Sequence, residues 1–189
     1  MENKMNLPLH DGEELLWAGQ PEPFELLDAA TKKATIAKWI GSVVIPAVAL
    51  GLYFGFSPVK QWGVGVAVVL IAIMVFVSPF LEKKKVEKVK FYMTNQRAML
   101  ELAGNSMYSI DLNEIDAFKV VDDVADETCV VMGSVLFEEI YKQMRWRTCN
   151  PKENNTSGAQ GKVDGLMFYN IKDAQVVAEI LEKNGVAKL

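Results

Sequence analysis

Two long uncharged stretches dominate the hydrophobic pattern of this chain. The first runs from Trp39 to Phe56 and the second from Trp62 to Leu81, and neither contains a charged residue. As α-helices they would rise about 27 to 30 Å at about 1.5 Å per residue, which matches the roughly 30 Å hydrocarbon thickness of a bilayer. Only the five residues Ser57 to Gln61 separate them. The pattern therefore predicts a transmembrane helical hairpin over residues 39–82.

The alternative is a pair of helices buried in the core of a soluble protein. Core helices of soluble domains carry a polar stripe where one face meets water, and neither stretch has such a stripe. A chain of 189 residues also leaves too little protein to cover two such helices. The membrane interpretation is therefore favoured.

Lysine residues are concentrated at the two ends of the predicted hairpin, whereas the connecting turn contains only Lys60. The positive-inside rule therefore places both ends of the hairpin, and with them both termini, in the cytoplasm. The chain opens with polar, acidic sequence, so no cleavable signal peptide is expected. The predicted location is the inner (plasma) membrane, with two spans. The flanking lysines are Lys32, Lys33, Lys38, Lys83, Lys84, Lys85, Lys88 and Lys90.

Small residues recur at intervals of four positions within the predicted spans. Gly51 and Gly55 form a GxxxG pair, a pattern at which membrane helices approach closely. Both clusters of small residues lie near the turn of the hairpin, so we expect the two helices to pack backbone against backbone there. The same stripe is also suited to dimerisation of two chains. The small-residue stripe consists of Ala47, Gly51, Gly55, Gly63 and Ala67.

The periodicity becomes strand-like outside the hairpin, with Gly, Asn and Pro between short alternating segments. Residues 173–184 are amphipathic and predict a C-terminal helix with Val176, Val177, Ile180 and Leu181 on its apolar face. The expected class is α+β, an antiparallel sheet covered by one helix. Residues 24–38 predict an amphipathic helix beside the membrane. The predicted strands cover 13–18, 89–94, 97–102, 107–112, 115–121, two regions within 129–137, 141–149 and 166–169.

Residue chemistry weighs against several functions. The net charge of −4 does not suggest nucleic-acid binding. The single histidine, His10, lies near the N-terminus, and Cys129 and Cys149 match no zinc or redox spacing. No phosphate-binding glycine-rich loop is present. We therefore expect no enzyme activity, no metal and no cofactor. The carboxylates between Asp111 and Glu139 lack calcium-loop spacing and are interpreted as solvated.

Four short motifs occur in the order and spacing of a known family. They are Gly12–Pro21 (GEELLWAGQP), Phe91–Met99 (FYMTNQRAM), Ser109–Leu112 with Ile115, and Ile171–Val177 (IKDAQVV). With the paired apolar helices between the first and second motifs, the chain resembles the bacterial membrane-flanked pleckstrin-homology-like (PH-like) domain proteins, in their two-helix anchored form.

The resemblance implies a strongly bent sheet of about seven strands, capped by the C-terminal helix, with the hairpin inserted after the first strand. The implied divisions are 1–23 (leader and first strand), 24–38, the hairpin 39–82 and the PH-like domain 83–189. Members resembling this chain mostly lack an assigned activity. The family signature falls on Tyr92, Thr94, Asn95 and Arg97. Because these residues have the composition of a hairpin turn, we expect Thr94 and Arg97 to bond backbone carbonyls or a carboxylate rather than a ligand.

Three functions remain open. The leading hypothesis is a membrane-anchored module for protein interaction or homo-oligomerisation on the cytoplasmic face. The second is recognition of anionic lipid headgroups at the inner leaflet. The third, an oligomeric pore or transport accessory, is weak because neither span carries an ionisable residue. Candidate headgroup contacts are Lys83, Lys84, Lys85, Lys88 and Lys90, with Arg145 and Arg147 if their strand faces the membrane.

Overall fold

A computed structural model gives an α+β fold with two long apolar helices and two β-sheets. Residue contacts divide the chain into a globular unit, residues 1–22 and 86–189, and a helical unit, residues 23–85. The structure describes residues 8–23, 25–27, 32–59, 61–104, 106–122, 127–133, 151 and 161–189.

The helical unit contains helix α1, Lys32–Phe56, and most of helix α2, Trp62–Val86. Both helices are long and apolar enough to cross a membrane, and little of either is buried within the protein. The prediction of two long apolar helices joined by a tight connection is therefore confirmed. The predicted amphipathic helix over 24–38 is wrong in part, because residues 25–27 are not helical and residues 32–38 are the first turns of α1.

Hydroxyl groups bond two backbone groups of the connection between the helices. The Tyr53 hydroxyl donates to the Val59 carbonyl at 3.2 Å and accepts from the Gln61 N–H at 3.0 Å. The Ser57 hydroxyl donates to the same Val59 carbonyl at 2.9 Å. Backbone groups paired in this way remain satisfied where little water is present.

The packing of the two helices differs from that expected from the small-residue stripe. Nothing lies within 4 Å of a Cβ placed on Gly51, Gly55 or Gly63, and all five stripe residues are exposed. A different glycine, Gly65, packs against Phe54. A Cβ placed on Gly65 would lie 3.3 Å from the Phe54 ring. The expected close approach at Ala47, Gly51, Gly55, Gly63 and Ala67 is therefore wrong, since these residues lie on the outer faces of the hairpin.

Aromatic and hydroxyl side chains support the other end of the hairpin. Trp39 stacks on Phe76 and Phe80, with ring centroids 5.7 and 5.9 Å apart, and its indole N–H donates to the Phe76 carbonyl. Pro79 has no N–H for the carbonyl of Val75, four residues earlier. The Ser78 hydroxyl donates to that carbonyl instead, at 2.8 Å.

The globular unit has two sheets of four strands each. In the first sheet, β1 (Leu15–Gly19), β2 (Lys90–Thr94), β3 (Arg97–Leu102) and β4 (Ser106–Asp111) are antiparallel and neighbours in sequence order. The second sheet has the order β7-β6-β5-β8. Its strands are β5 (Ala117–Val121), β6 (Thr128–Gly133), β7 (Gly165–Ile171) and β8 (Ala187–Lys188), and α3 (Ala174–Lys183) precedes β8.

Most predicted strands occur within a residue or two of the expected bounds. The single bent sheet is replaced by two sheets because a short 3₁₀ turn, Leu112–Glu114, interrupts the ladder between β4 and β5. Strand β8, which pairs parallel to β5, was not predicted. The predicted strand 141–149 and the region of 129–137 after Gly133 lie outside the described residues.

The core of the globular unit joins the two sheets through aromatic rings. Phe168 of β7 stacks on Trp17 of β1 and Phe91 of β2, with centroids 5.6 and 4.8 Å apart. Helix α3 buries Val177 and Leu181, as its apolar stripe predicts, whereas Val176 of the same stripe is 44% exposed.

The two strands of the first pair, β1 and β2, are separated in the sequence by the whole helical unit. Strand β1 precedes α1 and β2 follows α2, yet Ala18 pairs with Tyr92 and Gly19 with Phe91. The first sheet therefore needs segments from both sides of the two apolar helices.

Candidate functional site

The turn between β2 and β3 is bonded to a segment that comes more than eighty positions earlier in the chain. Arg97 donates from Nε to Glu13 Oε1 at 2.8 Å and from Nη2 to Glu13 Oε2 at 3.0 Å. Its Nη2 also donates to the Pro8 carbonyl at 2.7 Å. The Glu13 side chain is 0% exposed and that of Arg97 11% exposed. This is a buried, bidentate ion pair, the geometry in which a guanidinium binds a carboxylate most specifically.

Neighbouring turn residues extend the same attachment. The Thr94 hydroxyl donates to Glu13 Oε1 at 2.8 Å and accepts from the Arg97 N–H at 2.9 Å. Asn95 donates to the Gly12 carbonyl and accepts from the Glu14 N–H. Thr94 and Arg97 thus have a carboxylate and backbone carbonyls as partners, the two kinds of partner expected for a structural role.

This environment changes the ionisation of Glu13. Burial by itself raises the pKa of the carboxyl. Hydrogen bonds from Arg97, the His10 N–H and Thr94, together with the charge of Arg97, outweigh burial and lower the pKa of Glu13 from 4.5 to about 2.

A second polar contact lies farther along β2 and β3. The Tyr92 hydroxyl donates to Glu101 Oε2 at 2.7 Å, and Lys90 Nζ lies 3.4 Å from the same oxygen. Burial, followed by the hydrogen bond to the Glu101 carboxylate and its charge, raises the pKa of Tyr92 above its usual range. Of the predicted headgroup lysines, Lys90 is therefore already paired within the globular unit.

Charged side chains of alternating sign continue across the first sheet. Arg97 and Asp111 are direct partners in the β3–β4 register. The backbone of Ser109 in β4 forms an isolated parallel β-bridge with that of Lys162. Lys162 Nζ lies 2.6 Å from Asp111 Oδ2 and 3.5 Å from Glu114 Oε1. The hydrogen bond to Asp111 is the main cause that raises the pKa of Lys162. We call this set the charge row: Glu13, Arg97, Asp111, Lys162 and Glu114.

A polar cavity of about 730 Å³ opens beside the charge row. Small-molecule sites commonly have volumes of about 300–1,000 Å³. Among the described residues, no group of three or more His, Cys, Asp or Glu is placed to hold a metal ion. The cavity walls include Gln96, Arg97, Ser109, Asp111, Asn113 and Lys162.

The remaining predicted headgroup residues are only partly described. Lys84, Lys85 and Lys88 are exposed, and Lys83 is half-buried and engaged in an interaction. Arg145 and Arg147 lie outside the described residues. Three of the lysines around the hairpin are therefore exposed and able to contact a headgroup.

The sequence did not identify Glu13, Asp111 and Lys162 as members of one site. Gly12-Glu13 and Thr94–Arg97 belong to two of the motifs that carry the family resemblance. Their shared membership of that set was the one sequence signal that could have indicated a contact between them. Lys162 ends a polar segment without apolar periodicity, and nothing in its surroundings indicated a partner. Scans of the chain against protein-family models, curated proteins and solved structures found no match.

Proposed function

We propose that this protein is a membrane-anchored binding and assembly module, whose PH-like globular unit is held at the cytoplasmic face of a bacterial plasma membrane by a helical hairpin. The single observation that carries the proposal is the pairing of β1 with β2 across the two apolar helices. If the helices span a membrane, both strands must lie on the same side of it. The chain then crosses twice, and the Ser57–Gln61 connection lies on the opposite side.

The side chains of the helices support insertion into lipid. Each helix has 25 residues and so rises about 37 Å, enough to span a hydrocarbon core of roughly 30 Å. Ile45 of α1 is 69% exposed and Met74 of α2 is 70% exposed. Such continuous apolar exposure is unfavourable in water and favourable in a bilayer. The flanking lysines favour the cytoplasmic side for the globular unit.

The position of the family motifs supports the PH-like assignment. The Gly12-Glu13 opening and the Thr94–Arg97 signature, distant in sequence, meet in one ion pair. Two packed, mainly antiparallel sheets with a C-terminal helix are consistent with a bent PH-like sheet.

The first sheet offers a surface for protein contact. Strand β1 is at the end of the sheet, and its Leu15 and Leu16 are 40% and 47% exposed. An exposed apolar end strand is a template for strand addition by a partner or by a second copy. This favours assembly over catalysis, because the perturbed groups Glu13 and Tyr92 are held in internal hydrogen bonds.

Assembly is tested on the full chain in lipid nanodiscs or detergent, by mass measurement over a wide concentration range. We expect an oligomer or a co-purifying partner, lost in Leu16→Glu because a charge is placed on the end strand. The matched control is Val176→Glu on α3, a residue of similar exposure. A monomer at all concentrations with no co-purifying partner contradicts the proposal.

Headgroup recognition is the second candidate, favoured by the exposed side chains of Lys84, Lys85 and Lys88. Each lysine near an anionic membrane surface contributes about 1 kcal/mol. Replacing the three by Gln should reduce the phosphatidylglycerol retained by the purified protein in native mass spectrometry. Unchanged retention leaves these lysines with a topological role only.

A further inference from the structure

The polar cavity beside the charge row contains hydrogen-bonding groups that the fold leaves unused. Among the described residues, Arg97 uses Nε and Nη2 for Glu13 and Pro8, and its Nη1 makes no hydrogen bond. Asp111 uses Oδ2 for Lys162, and its Oδ1 makes none. Arg97 is only 9% exposed, so its guanidinium is fixed before any ligand arrives. Fixed donors lose little conformational entropy on binding.

The two residues that carry the unused donor and acceptor are neighbours across the sheet. Arg97 and Asp111 are direct partners across β3 and β4, a relation that brings Cβ atoms to about 5 Å. Ser109 and Asn113 also line the cavity, and neither side chain makes a hydrogen bond within the described part of the chain. The cavity thus presents a cationic donor, an anionic acceptor, a hydroxyl and an amide.

The row contains three carboxylates and two cations, so it has no excess positive charge to attract an anion. Arg97 is paired with Glu13, and Lys162 is paired with both Asp111 and Glu114. An added phosphate or carboxylate would bind Arg97 but would also approach the Asp111 carboxylate, and like charges at short range disfavour binding. A neutral ligand that both donates and accepts avoids this cost.

We propose that this cavity binds a neutral polyhydroxyl ligand, a sugar or polyol group, with two adjacent hydroxyls across Arg97 and Asp111. One hydroxyl accepts from Arg97 Nη1 and the other donates to Asp111 Oδ1, because every hydroxyl is both a donor and an acceptor. Hydrogen bonds to charged groups are the stronger class, and a partly buried guanidinium strengthens them. The ligand is either a free saccharide or the headgroup of a glycolipid.

The inference deepens the proposed binding role by naming a ligand class. It is tested by the side-chain Nε–H resonance of Arg97 in the ¹⁵N-labelled full chain. The soluble probes are methyl-α-D-glucoside and inorganic phosphate. The membrane probe is a nanodisc containing a glucosyl diacylglycerol, compared with a phosphatidylcholine nanodisc.

We expect a saturable shift of the Arg97 resonance with the glucoside or with the glycolipid nanodisc. A response to the glucoside assigns a free sugar, and a response to the glycolipid alone assigns a headgroup. Asp111→Asn should weaken the response about tenfold, as should Asn113→Ala, which leaves the Lys162 ion pairs in place. The control Asp116→Asn makes the same change of charge at an exposed position outside the cavity lining and should respond as the wild type.

A shift with inorganic phosphate and none with either sugar probe overturns the inference, because the cavity is then an anion site. An Arg97 resonance that does not shift with any of the probes also overturns the inference. The assembly variant Leu16→Glu separates this failure from failure of the proposed function, since it should lose oligomers and keep the sugar response.

Discussion

The helical and globular units use apolar side chains in opposite ways. In the globular unit Phe91 and Phe118 are 0% exposed, whereas in the helical unit Ile45 and Met74 are mostly exposed. Polar groups show the same contrast. The globular unit buries an ion pair between Glu13 and Arg97, whereas in the helices the Ser42 and Ser78 hydroxyls donate to backbone carbonyls of their own helix. The globular unit thus has an apolar core of its own, whereas the helical unit has the length and apolar composition of membrane-spanning helices.

The largest effect on the globular side should come from Arg97→Met. The substitution leaves the Glu13 carboxylate buried without its cation, and breaking a buried pair costs about 3–5 kcal/mol. Chemical unfolding monitored by tryptophan fluorescence of the purified protein measures this loss. Lys90→Gln is the matched control, because the Lys90 side chain is 39% exposed and its surface pair with Glu101 is worth about 0–1 kcal/mol. Equal losses in the two variants would contradict a special role for the buried pair.

The next effect is a dependence of stability on pH. The folded pKa of Glu13 is about 2, below the ordinary 4.5, so its stabilisation is complete above pH 4.5 and is lost as the pH falls toward 2. The expected loss is on the order of 3 kcal/mol. Unfolding free energies between pH 6 and pH 2 test this. Glu13→Gln should remove most of the acid sensitivity in this window, and an unchanged slope would contradict the assignment.

A smaller effect distinguishes two glycines of the hairpin. Gly65→Leu should disturb the packing against Phe54, at about 1–3 kcal/mol for an overpacked contact. Gly51→Leu should leave the hairpin intact, because nothing lies within 4 Å of its position. Thermal unfolding of the helical unit in detergent compares the two. Greater damage from Gly51→Leu would restore the small-residue stripe as a packing surface, within the hairpin or between two copies.

The smallest effect is expected at Thr35 in α1. Its hydroxyl is the only buried side-chain oxygen or nitrogen without a hydrogen-bond partner in the described part of the chain. Thr35→Val keeps the shape and removes the unsatisfied group, so it should be neutral or stabilising by up to about 1 kcal/mol. Destabilisation in the same thermal assay would show that the hydroxyl has a partner in the membrane, such as water or a lipid headgroup.

The sequence predicted those parts of the fold that have a strong local signal. The two long uncharged stretches predicted the two helices. The alternation of apolar and polar residues between turn residues predicted β2, β3 and β4 close to their observed bounds. Strand β8 has only two residues and therefore no periodicity to detect. The division into two sheets depends on the 3₁₀ turn at Leu112–Glu114, which interrupts pairing without an apolar pattern of its own.

The candidate site was predictable only in part. The composition of the Thr94–Arg97 turn indicated structural hydrogen bonds, but the identity of Glu13 as the partner requires the β1–β2 pairing across the helices. The cavity is lined from residues 95–97, 109–113 and 162, with His10 and Asn184, and these segments meet only in the folded protein. GxxxG spacing was misleading because spacing alone does not say which helix face meets a partner. In this hairpin the glycine that packs against the other helix is Gly65, beside Phe54.

The central claim is that both ends of the hairpin share one side of a membrane and its connection lies on the other. Single cysteines at Val59, Glu14 and Asp116, in a background without Cys129 and Cys149, test it by labelling intact cells with a membrane-impermeant maleimide. Val59→Cys should label in intact cells, and Glu14→Cys and Asp116→Cys only after permeabilisation. Labelling of all three only after permeabilisation, or recovery of the protein in the water-soluble fraction without detergent, would contradict the claim.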